Sequence, residues 1–193
     1  MTSYLPPIAK PNSLRLRLLA LVLRRMMGKT PSWLTVWSAR MPFGFTAWMG
    51  KVNSLNKKLS VEPDIVVLLR ARVDDVNTCL QCQDSGRWYV NRKQPHLVPK
   101  LDGLFDYRRN PLFSVKERAA LDFASELAEH RSVSPDTFMA LSAHYSERQV
   151  CEIVWVVSTN FLLNLNNLGM GIGSDGLCEL AGLPTAAPTG TPL

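Results

Sequence analysis

The hydrophobic positions of this chain recur at helical spacing, and no stretch alternates with the two-residue period of a strand. In "PDIVVLLRARVDDV", Ile65, Leu69, Arg72 or Val73, and Val76 fall on one helical face. "SVKERAALDFASELAEH" carries an apolar stripe through Ala120, Phe123 or Ala124, and Leu127, and opens with Ser114 and Glu117 as a capping box. "SPDTFMALSAHY" offers Ser134 as N-cap with Pro135 at the first helical position, its favoured place. "SERQVCEIVWVVSTNFLLNLNNLGM" begins with a further box, Ser146 and Gln149, and is apolar nearly all round. That pattern predicts a central buried helix, interrupted too often by Glu152 and its asparagines to span a membrane. Thr78 and Gln81 form one more box, which places Cys79 at the first position of a helix and Cys82 one turn later on the same face. Asp102-Gly103 has no alternating runs beside it, so no hairpin is expected. The expectation is an all-α chain without internal repeats.

Charge divides the chain. Residues 1–60 hold ten Lys/Arg and no Asp or Glu, whereas residues 61–193 hold twelve Lys/Arg and sixteen Asp/Glu; the net charge is +6 over 193 residues. Within the first part, residues 1–12 are Pro-rich and irregular in expectation. "SLRLRLLALVLRRMMGK" is broken by Arg15, Arg17, Arg24 and Arg25, so it reads as a basic amphipathic helix, neither a membrane span nor a secretory segment. Packing on its own domain is the simpler expectation over membrane binding. Trp33, Trp37, Phe43 and Trp48 follow at helix-like spacings and read as core. The expected organisation is a basic, Trp-rich arm over 1–60, a helical core over 61–175 and a flexible tail over 176–193. The acid-free arm is expected to dock on acidic surface of the same or a neighbouring subunit, and not on nucleic acid.

The candidate chemistry sits in "NTCLQCQDSGRW", where two of the four cysteines are spaced Cys-x-x-Cys. Four cysteines and no export signal suggest a reducing cytosol and no disulfide-stapled fold. A structural zinc needs four ligands, but Cys151, Cys178, His96, His130 and His144 are scattered, so neither metal nor cofactor is expected. Two readings stay open. A thiol at a helix start meets unpaired N–H groups and the positive end of the dipole, which favour the thiolate, and a partner three residues on can close a disulfide. Alternatively, the two cysteines are small apolar side chains facing the core.

The block "VVLLRARVDDVNTCLQCQDSGRW", with the later "FSVKERAALDFASELAEHRSVSPDTFMALSAHYSERQVCEIVWVVSTNFLLNLNNLGMGI", resembles the carboxymuconolactone decarboxylase and alkylhydroperoxidase D superfamily over about residues 60 to 173. The resemblance implies an all-α, alkylhydroperoxidase D-like helical bundle that assembles as a homo-oligomer, commonly a trimer or hexamer. In peroxidatic members the two cysteines work with a Glu about three turns upstream, a His between them and a His four residues after the second. Cys79 and Cys82 match; the relay positions hold Val67, Gln81 and Gly86. Without that relay, the helix terminus, Arg72 or Arg87 must lower the thiol pKa. Asp84, the carboxylate inside the motif, could act as base or orienter, although a carboxylate beside a thiolate also raises the thiol pKa, and a first-turn acid complementing the dipole is the plainer role.

Three functions follow. The first is a peroxidase-type thiol–disulfide oxidoreductase with antioxidant activity, using Cys79, Cys82 and Asp84 on hydroperoxides with an external thiol reductant. The second is a decarboxylase-type enzyme acting on a small organic substrate, although none of the histidines maps onto that role and His130 and His144 read as surface residues at helix ends. The third is a catalytically silent oligomeric binding protein. The retained cysteine pair favours the first, in the cytoplasm, with neither nucleic acid nor membrane as partner.

Overall fold

The computed structural model describes residues 3–41 and 45–185. Among them there is no strand; the elements are α1 (Leu14–Met27), a π-helical turn (Leu34–Ser38), α2 (Phe45–Asn56), α3 (Pro63–Val76), α4 (Leu80–Lys93), α5 (Val98–Asp102), α6 (Val115–His130), α7 (Pro135–Ser142), α8 (Glu147–Gly169) and α9 (Leu177–Leu180), with short 3-10 turns at Pro95–Leu97 and Leu104–Asp106. The expectation for Phe43 and the last part of the tail falls on residues outside those described.

Local chemistry sets most of these boundaries. Ser114 accepts from Glu117 N–H and the Glu117 carboxylate accepts from Ser114 N–H, and Ser146 and Gln149 do the same at the start of α8. Ser134 accepts from Thr137 N–H with Pro135 at the first position of α7. Gly28, at φ 82°, closes α1 by donating its N–H to Arg24.

Helix α3 is the axis of the core, lying against α6 and α8. Ile65, Leu69 and Val73 bury against Ala120, Phe123 and Ala124 of α6 and Ile153, Val156 and Val157 of α8. Truncating a wholly buried leucine such as Leu69 costs about 2–5 kcal/mol, so this layer carries much of the stability.

Two expectations change. Helix α8 is not buried all round: Val154, Leu162, Leu165 and Leu168 are exposed, while Asn160, Asn164 and Asn167 face inward. Hydrophobic count hides this inversion, because the inward asparagines have polar partners inside. Leu177 and Cys178, expected within a flexible tail, are instead buried with Trp88, and Met27 and Leu183 pack against them.

The arm is tied to this body. Val36 and Trp37 are buried with Ile172, and Trp33 packs against them. Asp175, its side chain 1% exposed, pairs with Lys29 at 3.0 Å and accepts from Ser32 N–H (2.9 Å), Ser32 Oγ (2.6 Å) and Gln81 Nε2 (2.9 Å). Helix α1 itself buries Leu16 and leaves Leu14, Leu18, Leu21, Val22 and Met26 exposed. No described helix is long and apolar enough to cross a membrane.

Asp175→Ala removes the ion pair to Lys29, which keeps its bond to the residue 175 carbonyl, and takes the acceptor from three further donors, so it should lower stability by about 2–3 kcal/mol. Denaturant unfolding checks the magnitude, and limited proteolysis should show faster cleavage within the first 41 residues.

Candidate active site

Helices α3 and α4 are joined by a turn that differs from the one expected. Thr78 N–H donates to Asp75 C=O and Cys79 N–H donates to Asp74 C=O, each at 3.0 Å, with Thr78 at φ 51°. This is a Schellman closure of α3, in which Thr78 occupies the left-handed position usually filled by glycine. The expected Thr78–Gln81 capping box is therefore absent. An N-cap needs extended backbone, and Thr78 is already spent on ending the preceding helix. Cys79 becomes the residue before α4, no side chain caps the start, and Gln81 turns its amide to Asp175.

Cys79 and Cys82 are joined as a disulfide with Cα atoms 5.3 Å apart. Cys79 is 0% exposed, whereas Cys82 is half-buried. From α8, the Asn167 amide reaches both sulfurs, at 3.3 Å to Cys82 Sγ and 4.0 Å to Cys79 Sγ. The preceding turns of the same helix face serve a buried carboxylate. Asn160 Nδ2 and Asn164 Nδ2 each donate to Asp74 Oδ1 at 2.7 Å, and Asn77 Nδ2 donates to Asn164 Oδ1 at 2.8 Å. Burial pushes the Asp74 carboxyl up to about 7 against the pull of those amides, and burial also lifts its neighbour Asp75 to about 6.

The other residues singled out in the sequence have separate work. Both Asp84 oxygens face the C-terminal segment: Oδ2 accepts from Ser174 Oγ (2.9 Å) and Leu177 N–H (2.8 Å), and Oδ1 from Cys178 N–H (3.1 Å). Arg72 turns to α6, donating to Ser125 Oγ at 2.7 Å and lying over the Tyr107 ring. Arg87 is buried between Pro184 C=O and the Asp102 carboxylate. The two cations expected to lower the thiol pKa are thus both engaged elsewhere. Val67 is half-buried on α3 and Gly86 is exposed on α4. His96 pairs with Asp64, His130 lies beside Glu129, and His144 is exposed. Among the described residues no group of three or more His, Cys, Asp or Glu could hold a metal ion. Asp74, Asn164 and Asn167 form the part of the site that sequence reasoning missed. The available signal was a stripe of asparagines, at 160, 164 and 167, on one face of an otherwise apolar helix.

Two consequences are measurable. A β-branched residue in the left-handed region is strained, so Thr78→Gly should raise stability by about 1 kcal/mol in chemical unfolding. A carboxyl whose folded pKa is raised supports the fold below its unfolded pKa, and that support is lost as pH rises through the folded value. For Asp74 the window runs from about 4, the unfolded range, to about 7. Asp74→Asn should therefore gain stability over the wild type progressively across that window, measured as the difference in unfolding midpoints at pH 4.5 and pH 8.

No family model matches the chain. It is 32% identical over 182 residues to the uncharacterized protein YnjA of Escherichia coli (strain K12), which covers 91% of this chain and 96% of that protein. Its fold is similar to the alkylhydroperoxidase AhpD core of a peroxidase-related protein from Ralstonia eutropha JMP134, with TM-score 0.70 and 22% identity over 91% of this chain and 94% of that one. It is also similar to the debrominase Bmp8 in complex with 2,3,4-tribromopyrrole, with TM-score 0.76 and 18% identity over 93% and 96% of the two chains. The chain therefore belongs to one family with YnjA, and its all-helical bundle, with the cysteine turn at the head of α4, has the fold of the alkylhydroperoxidase D core.

Proposed function

We propose that the chain is a thiol–disulfide oxidoreductase that reduces hydroperoxides through Cys79 and Cys82. The observation that carries this function is the disulfide itself, set beneath the Asn167 amide with one sulfur buried and one within reach of solvent. Their different exposure supports one division of roles. Cys82, not the leading Cys79, is the nucleophile, and Cys79 resolves.

The reduced Cys82 thiolate attacks the peroxide; an S–O bond forms, the O–O bond breaks, and the alkoxide leaves and takes up a proton to become the alcohol. The Cys79 thiol then attacks the Cys82 sulfenic acid; an S–S bond forms, the S–O bond breaks, and the hydroxide leaves as water with the thiol proton. Two thiols have lost two electrons and one peroxide has gained them. An external dithiol restores the pair by exchange at the half-exposed Cys82 sulfur, becoming a disulfide itself. The Asn167 N–H stabilises charge on either sulfur during these steps. Asp84 acts here as a positioning residue, holding α9 against α4.

The alkylhydroperoxidase D-like fold and the exposed Leu162, Leu165 and Leu168 on α8 support assembly with further copies of the chain. Lys29, engaged with Asp175, supports the view that the basic arm serves the protein's own body and not nucleic acid. A cytoplasmic thiol pool would supply the reductant.

Hydroperoxide consumption in the presence of a dithiol tests the function. Cys82→Ser should abolish turnover, and reduced Cys79→Ser freed of dithiol should consume one equivalent of peroxide and hold a sulfenic acid on Cys82 that a dimedone-type probe traps. A wild type that consumes no peroxide, with both variants unchanged from it, would leave the decarboxylase-type or silent-oligomer readings in its place.

A further inference from the structure

The site lacks the family's histidines, yet a proton must leave the thiol and another must reach the leaving alkoxide. The structure brings one group to this place. Gly86 is exposed, and apart from its own helix the first atom that a Cβ on Gly86 would meet is Asp74 Oδ2, at 3.8 Å. The missing side chain leaves a notch in the wall of α4 with a buried carboxylate at its floor. Two helices place that floor beside the sulfurs. On α4, Gly86 lies four residues past Cys82 on the same face, a separation of about 5–6 Å between Cβ positions. On α8, Asn164 holds the carboxylate, and three residues later Asn167 holds the sulfurs. The carboxylate thus lies against the turn of α4 that follows Cys82 and under the turn of α8 that precedes Asn167, an arrangement in which water at the notch can join the two groups.

We propose that Asp74 is the proton acceptor and donor for the Cys82 thiol, working across the notch at Gly86; the proposal rests on the redox function assigned to the cysteine pair above. Ionised Asp74 takes the Cys82 thiol proton as the thiolate forms. Once the O–O bond breaks, the protonated carboxyl returns that proton to the alkoxide, which leaves as the alcohol, and Asp74 is again ionised. Asn160 and Asn164 fix Oδ1 and leave Oδ2 towards the notch. A carboxyl poised near neutrality can make both transfers at physiological pH. The charged groups bearing on it are Arg70, which favours the ionised form, and Asp75, which opposes it, both on α3; Asp75 is in turn eased by Arg72 and by Arg87 of α4. The helices packed over Asp74 face it with Gly86 and the cysteine turn of α4 and with the amides of α8.

The pair is coupled, since a carboxylate and a thiolate at one notch resist ionising together. This gives Asp74→Asn two effects of opposite sign. Removing the carboxylate should shift the pH profile of Cys82 alkylation by iodoacetamide to lower pH and turn two steps into one. The same variant should reduce cumene hydroperoxide about 100-fold more slowly at pH 7, because the proton donor for the alkoxide is gone. A purely structural role would alter stability and leave the alkylation profile where it was. Gly86→Ala provides a second variant, its methyl in ordinary contact with Asp74 Oδ2 and its helix propensity improved; it should slow peroxide reduction about tenfold by excluding the bridging water. An alkylation profile unmoved in Asp74→Asn, or peroxide rates unchanged in both variants of an active wild type, would overturn the proposal. A profile that moves as expected in a protein that reduces no peroxide would support the Asp74–Cys82 proton coupling and remove the peroxidase function instead.

Discussion

The geometry of the site depends on the bond from the Cys79 N–H to the Asp74 carbonyl. It closes α3 and starts α4 within Asn77, Thr78 and Cys79, so the two helices meet with no slack between them. Through that bond one residue fixes the cysteine turn with its backbone and places a buried carboxylate beneath the same helix with its side chain. The left-handed Thr78 is the strained hinge of the arrangement. Such strain persists where the surroundings over-determine the backbone, and here it immediately precedes the sulfur-bearing turn.

Helix α8 supplies the opposing wall. Its first half packs apolar residues on α3, and its second half turns asparagines inward and leucines outward. Burying three amides is unfavourable unless their hydrogen bonds are made, and here they are made to Asp74, to Asn77 and to the sulfurs. The polar cluster therefore fixes the register of α8 against the cysteine turn more sharply than leucines would, because a slip of one residue leaves both the amides and the carboxylate without partners. The C-terminal segment closes the remaining side through Asp84 and Asp175, which tie α9 and the basic arm to α4.

The parts of this account that were legible in the sequence are those with local causes. The caps at Ser114, Ser134 and Ser146 are contacts across three residues and appear where spacing puts them. Thr78 shows the limit of the same logic: a threonine between two helices can cap the second or end the first, and only the packing of α3 on α8 decides. The leucines and asparagines of α8 were visible as letters, but which face turns inward depends on Asp74, 86 and 90 residues away from its two amides. In the sequence Arg72, Arg87 and Asp84 stand near the thiols. Their partners, Ser125, Asp102, Pro184 and the backbone of α9, lie on other elements and claim them first. The absence of the histidine relay was legible position by position. The carboxylate below Gly86 was not, because no fixed spacing relates Asp74 to the family's motif.

The central claim is that Cys79 and Cys82 are a working redox pair and not a static cross-link. Its most direct measurement is a single-turnover thiol count. Fully reduced protein, held free of oxygen, receives one equivalent of hydroperoxide per chain, and the remaining thiols are alkylated and mapped by mass spectrometry. The account predicts the loss of two thiols per peroxide reduced, with the disulfide found in the peptide containing Cys79 and Cys82 and with Cys151 and Cys178 still alkylated. Full alkylation at Cys79 and Cys82 with the peroxide unconsumed would contradict it.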